Sequence, residues 1–298
     1  MSVQQQDKTT LPEASLSRAA TRTAPFRAWK FKPGSLLGYL AIAFFVTNVL
    51  LLIATVVISS FSQGWFGTFL PDKFSTRYYE SAGKEHDLFQ LITFTLGVAF
   101  GVVLLAMLIG LPAAYVLARK QFKGKALMWG LFLVPMMIPP MTYGIPLATT
   151  MYRFDLANSV IGVTLVNLVP IVPFVILILT PFIEQIDVNL ESAARMLGAS
   201  RLQIFWRILT PLLGPGLLTA GILAVVRTIA SFELTYLVSG SRTQTLIVAV
   251  YNDAYGAGNR PGQQTDAMAV IYTATTLSLL IIALIFVSPT QFVVRLKR

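Results

Sequence analysis

Six apolar stretches, at about 36–61, 89–118, 126–150, 159–183, 212–238 and 267–293, dominate this 298-residue chain. A bilayer core of about 30 Å takes roughly 20 helical residues to cross, and each stretch reaches that length. Backbone groups inside hydrocarbon must be satisfied within their own segment, so runs of this kind fold as helices. Composition agrees, with 55% hydrophobic and 12% charged residues, where soluble domains carry about 25% charged residues. The expected fold class is an all-α integral membrane protein with six transmembrane helices. The first stretch, LLGYLAIAFFVTNVLL onward, is too long for a signal-peptide core and lacks a small-residue cleavage site after it, so it is read as a retained helix.

An even number of spans puts both termini on one side, and the basic residues say which. Sixteen Lys and Arg lie in the 1–35 tail, the 119–125 and 184–211 loops and the C-terminal Arg295, Lys297 and Arg298. The opposite face has six: Lys73, Arg77, Lys84, Arg153, Arg242 and Arg260, while Arg227 lies within a span. Cytoplasmic loops retain positive charge, so both termini are expected in the cytoplasm. The net charge of +10 is thus read as topology. No DNA- or RNA-reading motif and no basic stripe accompany it. Lipid, not nucleic acid, is the expected surroundings.

The same inventory excludes most chemistry. The absence of cysteine removes thiolate nucleophiles, iron–sulfur ligands and Cys-based zinc sites. His86 is the single histidine, and no G-x-S-x-G motif occurs. Catalysis would need a clustered base, nucleophile or metal, so no catalytic, cofactor or metal site is expected.

Between the spans, residues 1–32 are polar and without hydrophobic period, as in a mobile tail. The external loop 62–88 carries Trp65, Phe66, Tyr78 and Tyr79; it reads either as an interfacial aromatic cap or as a surface for an external partner. Pro135, Pro139, Pro140 and Pro146 fall in the third span, and Pro170, Pro173 and Pro181 in the fourth. Each removes a helix donor. They read as packing kinks or as broken helices that line a passage, with Pro139 and Pro140 the candidates there. Gly97-x-x-x-Gly101 allows a close helix approach.

The loop 184–211 is longer than a turn needs. Leu190, Ala193, Ala194 and Leu197 recur at helical spacing. Gly198 fits a helix C-cap, and a second run from Leu202 to Leu209 ends at Pro211. Such a knob either lies on lipid or, through its small alanines, presses against a partner.

This loop resembles the EAA loop of permease subunits of binding-protein-dependent type I ABC importers: Glu-Ala-Ala, three residues, Gly, nine residues, Ile-x-Leu-Pro. Ala193, Ala194, Gly198, Ile208 and Pro211 match with spacing intact; Ser192 replaces the glutamate, with Glu191 adjacent, and Thr210 replaces the leucine. The resemblance extends over about 89–293, the expected core domain, with LVPMMIPPMTYGIPL of the third span and SFELTYLVSG closing the fifth. It implies that the loop's helix docks on a cytoplasmic ATPase. It also implies two ATPase subunits, a second permease, homologous or identical, and a periplasmic solute-binding protein. ATP and Mg would then sit on the partner ATPase. Independently, no G-x-x-x-x-G-K-[ST] loop occurs; Gly124-Lys125 precedes Ala126 and lacks the upstream glycine.

Arg227 and Glu233 lie in the fifth span, where ionisable groups are functional candidates by default. Six residues on a helix are about 9 Å of rise and roughly 240° of turn, so the two do not share a face. Arg227 reads as packed against polar groups or carbonyls. Glu233 reads either as an interfacial carboxylate held by Tyr236 or a neighbouring subunit, or as an acidic group on the pathway. The SFE segment resembles that of polyamine, ferric-iron and aminophosphonate permeases. A polyamine or related organic amine is the favoured solute, with ferric iron, aminophosphonate or an opine-like amine as alternatives. The competing class is an ion- or proton-coupled transporter acting without an ATPase. That class usually shows paired intramembrane carboxylates and inverted repeats, and neither is visible.

Overall fold

The computed structural model describes residues 33–65, 68–256 and 260–286. Expectations for the 1–32 tail, for Phe66, for the 294–298 end with Arg295, Lys297 and Arg298, and for the close of the 267–293 span lie outside the described residues.

The chain divides into Met1–Leu51 and Leu52–Arg298. The described part of the first unit is helical, and every side chain from Leu36 to Leu51 is exposed. A helix apolar all round suits a membrane span. In chain order the helices are α1 (Pro33–Ser60), α2 (Arg77–Glu85), α3 (Leu88–Arg119), α4 (Lys125–Met137), α5 (Pro140–Arg153), α6 (Val160–Glu184) and α7 (Val188–Met196). Then come α8 (Arg201–Ile204), a π-helical turn (Phe205–Leu209), α9 (Thr210–Leu212), α10 (Gly214–Ile229), α11 (Glu233–Val238), α12 (Leu246–Tyr255) and α13 (Gly262–Phe286). No strand occurs among the described residues. Among them, four helices are long and apolar enough to cross a membrane, or six if each bent pair counts as one span.

The core of the second unit lies where α3, α6 and α10 meet. Ala99, Val102, Ala106 and Leu117 of α3 pack with Val175, Ile176, Leu179 and Ile183 of α6 and with Ala220, Ala224 and Ile229 of α10. Small residues let membrane helices approach closely. A Cβ on Gly110 would stand 3.0 Å from the Val175 side chain, so this glycine sets the α3–α6 contact. Gly97 and Gly101 do not: among the described residues, nothing outside the local helix backbone lies within 4 Å of a Cβ at either. Helix starts are capped by side chains, with Asp87 accepting from Gln90 N–H and Ser159 from Gly162 N–H, each at 3.0 Å.

Two expectations about spans are corrected. The prolines break the third span but not the fourth. Ile138 and Pro139 are both extended, the conformation favoured before a proline, and α4 and α5 meet at a 94° bend. The prolines of α6 do not adjoin one another, and α6 runs unbroken through Pro170, Pro173 and Pro181, with both Pro170 and Pro173 buried. The fifth span is also not the single helix expected over 212–238. Of this stretch α10 covers Gly214–Ile229, about 24 Å; Ala230–Phe232 interrupt it, and α11 follows separately. The interruption has neither proline nor glycine to announce it.

Candidate functional site

Asp187 caps α7, its carboxylate accepting from Asn189 N–H at 2.9 Å. The helix is stopped by Gly198, whose φ of +84° is left-handed and open to glycine without strain. Ser200 and Gln203 then form a reciprocal capping box that starts α8. Thus α7, its glycine and α8 form a compact helix–turn–helix. The second run does not stop at Pro211, though. It passes through a π turn at Phe205–Leu209, which contains Ile208, and on to Leu212, before a 72° bend into α10.

The face of α7 that turns inward differs from the expected apolar line. Glu191 and Ala194 are buried, whereas Leu190 is 47% and Leu197 89% exposed. Ala194 packs on Ile204 and Leu209, so this alanine serves the knob's own core. Glu191 is buried because its charge is matched. Arg119 Nε donates to Oε1 at 2.7 Å, Tyr115 O–H donates to Oε2 at 2.9 Å, and Arg195 adds a 3.4 Å contact. Arg119 also donates to the Ile186 carbonyl at 2.7 Å. A buried carboxylate needs such pairing. Glu191 therefore anchors α7 to the end of α3, while Ser192 and Ala193 face outward. Met196 and Leu197, each 89% exposed, form the apolar tip of the knob. Sequence periodicity counts Leu197 with the inward line and passes over Met196, although two large apolar side chains directly before a terminating glycine are a visible signal.

Gly124 and Lys125 serve the fold, since Gly124, at φ +93°, starts α4.

At the far end of α10 the candidate pathway residues gather only in part. The Arg227 guanidinium lies over the Phe174 ring, 4.9 Å from its centroid. No ion pair joins Arg227 to Glu233 among the described residues, in keeping with their spacing. Tyr236 does not hold Glu233; its ring stacks on Phe232 at 5.2 Å. Phe232 and Tyr236 also meet Tyr251 of α12, at 4.6 and 5.1 Å, and Tyr255 lies 5.0 Å from Tyr251. Pro139 and Pro140 sit at the α4–α5 bend. Gly144 of α5 is pressed against Leu234 and Leu237 of α11, 3.0 Å from each for an added Cβ.

Beside this, His86 is not isolated as its sequence position suggested. Its Nε2 lies 3.0 and 3.1 Å from the two oxygens of buried Asp253, which also pairs with Arg260. Arg260 in turn contacts Glu85 at 3.2 Å, and Gln264 donates to Glu85 at 2.8 Å. Burial first, then the Arg260 charge, hold the imidazole below its usual 6.5, with Glu85 opposing. Neutral His86 then donates Nε2–H to an acceptor-only carboxylate. A cleft of about 170 Å³ adjoins it, lined in part by Glu85, His86, Asp87, Arg242 and Gln244.

The family described as binding-protein-dependent transport system inner membrane component matches residues 106–295. The chain is 31% identical over 211 residues to the chloroplastic sulfate permease 2 of Chlamydomonas reinhardtii, covering 66% of this chain and 56% of that protein, just over half its length. It is 29% identical over 205 residues to the molybdenum transport permease ModB of Haemophilus influenzae, covering 63% of this chain and 88% of the relative. Among solved structures, a bacterial ABC transporter involved in import of the acidic polysaccharide alginate superposes with a TM-score of 0.68 at 19% identity, covering 90% of this chain and 98% of that one. At that identity the likeness establishes the fold.

Proposed function

The chain belongs to the family of binding-protein-dependent transport system inner membrane components, and from that premise we propose that it forms half of the translocation pathway of an ATP-driven importer. The observation that carries the reading is the knob on α7. A polar anchor at Glu191 ties it to α3, the 72° bend ties it to α10, and its apolar tip at Met196 and Leu197 is left uncovered. An ATPase closing on that tip would move the ends of two packed helices together and bias the bundle between two states of access. Two ATPase subunits would hold the ATP and Mg. A second permease would complete the pathway, and a periplasmic binding protein would deliver solute to the opposite face. The basic loops support an orientation with both termini in the cytoplasm.

The solute is proposed to be an organic amine such as a polyamine, supported by Glu233 beside the pathway end of α11. The relatives' names speak of sulfate and molybdenum, and such oxyanions would meet a carboxylate there at a Coulombic cost. The unaided secondary-transporter reading has no comparable support, since no pair of intramembrane carboxylates forms among the described residues.

Gentle co-purification from native membrane, with identification of every bound chain, tests the assembly. An ATPase subunit and a second permease are expected. Solute uptake by the purified chain alone, without ATP, would overturn the proposal.

A further inference from the structure

We propose that Phe232, Tyr236, Tyr251 and Tyr255, with the Glu233 carboxylate at their edge, form a binding subsite for an organic ammonium group at the end of the bundle opposite α7. The inference rests on the importer reading for its place in a pathway, but not for the binding itself.

The rings come from two elements, the start of α11 and α12. Phe232 and Tyr236 are four residues apart and stack along one face at the start of α11. Tyr251 and Tyr255 share one face of α12 by the same spacing. Tyr251 is the hub, in contact with all three others. The cluster is not closed as a hydrophobic core would be, for Tyr236 is 40% and Tyr255 76% exposed. The rings turn onto one another, with the centroids of Phe232, Tyr236 and Tyr255 each within 5.1 Å of that of Tyr251.

The charge pattern selects the ligand. Aromatic faces are negative, and they attract ammonium groups within about 6 Å of the ring centroid. Glu233 is three residues before Tyr236 and therefore a near neighbour on the helix surface. The intramembrane cation Arg227 lies against the Phe174 ring, and no contact between it and the four rings occurs among the described residues. An anion would find no positive partner in the ring cluster itself, while an ammonium would find ring faces and a carboxylate. The fold also holds the rings in place. Asp253, between Tyr251 and Tyr255, points to the other side of α12, where His86 and Arg260 hold it.

The test is calorimetric titration of spermidine, without nucleotide, into the full chain with its co-purified partners in nanodiscs of zwitterionic phosphatidylcholine. Saturable binding is expected, weakened about tenfold by Tyr251→Leu and by Glu233→Gln and retained by Tyr251→Phe. Tyr255→Leu, at the exposed edge of the cluster, should weaken binding without disturbing the core, and covers the case in which Tyr251→Leu fails to fold. The proposal is overturned if spermidine does not bind the unaltered protein. Affinity unchanged by Tyr251→Leu and Tyr255→Leu overturns it too, as does ring-dependent binding of sulfate or a disaccharide instead. Ring-dependent spermidine binding in a preparation that shows no ATP-driven uptake of any solute would leave the subsite standing and remove the importer reading.

Discussion

Arg119 Nε donates a 2.7 Å hydrogen bond to Glu191 Oε1, joining the last turn of α3 to the middle of α7 with both side chains almost fully buried. In the family's loop pattern the glutamate belongs one position later, where this chain has Ser192. The acidic group next to it is committed inside the chain, and the outward position carries a hydroxyl.

Removing one member of this pair leaves a buried charge without its partner, a change that costs about 3–5 kcal/mol. Glu191→Ala is therefore expected to lower the melting temperature of the purified protein strongly. Ser192→Ala, at an exposed position, should stay within about 0.5 kcal/mol. Equal melting temperatures for the unaltered chain and Glu191→Ala would mean that α7 is not anchored in this way.

The two glycine sites predict opposite outcomes. Gly144→Val must displace Leu234 and Leu237, each 3.0 Å from an added Cβ, and overpacking of this kind costs about 1–3 kcal/mol. Gly97→Val meets nothing within 4 Å at its Cβ among the described residues outside its own helix backbone, so it should leave the isolated chain's thermal stability nearly unchanged. Loss of assembly with a second permease in Gly97→Val alone would place that open face at the subunit contact.

His86 gives a pH dependence. Burial and Arg260 lower its pKa in the folded protein relative to the usual 6.5. The unfolded chain therefore binds more protons as pH falls through that range, and stability rises with pH there. The contribution of neutral His86 is present above about pH 6.5 and is lost as pH falls below it. Melting temperatures at pH 5.5 and 7.5 should differ more for the unaltered protein than for His86→Gln; an equal difference would show that His86 is not the titrating group.

Much of this was legible in the sequence because the bilayer imposes a length and a composition on each span. The knob was legible for another reason: Gly198 supplies a left-handed stop, and Ala193, Ala194, Ile208 and Pro211 keep the family's spacing. The break at Ala230–Phe232 was not, because those residues carry no helix-breaking side chain. The inward face of α7 was misjudged because periodicity counts Leu190 and Leu197 as apolar and Glu191 as polar, whereas Arg119, 72 residues away, inverts their burial. The ring cluster needed the same long-range information, since Tyr251 is 19 residues from Phe232 in sequence and 4.6 Å from it in space.

The central claim is that an ATPase drives this bundle through the α7 tip. The most direct test is ATP-dependent solute uptake and ATPase co-purification for the assembled transporter in proteoliposomes, unaltered and with Met196→Asp and Leu197→Asp together. Both residues are 89% exposed, so the double variant should fold and insert normally. It should nonetheless lose the ATPase subunit and all ATP-driven uptake. Full ATPase retention and undiminished uptake in the double variant would contradict the account.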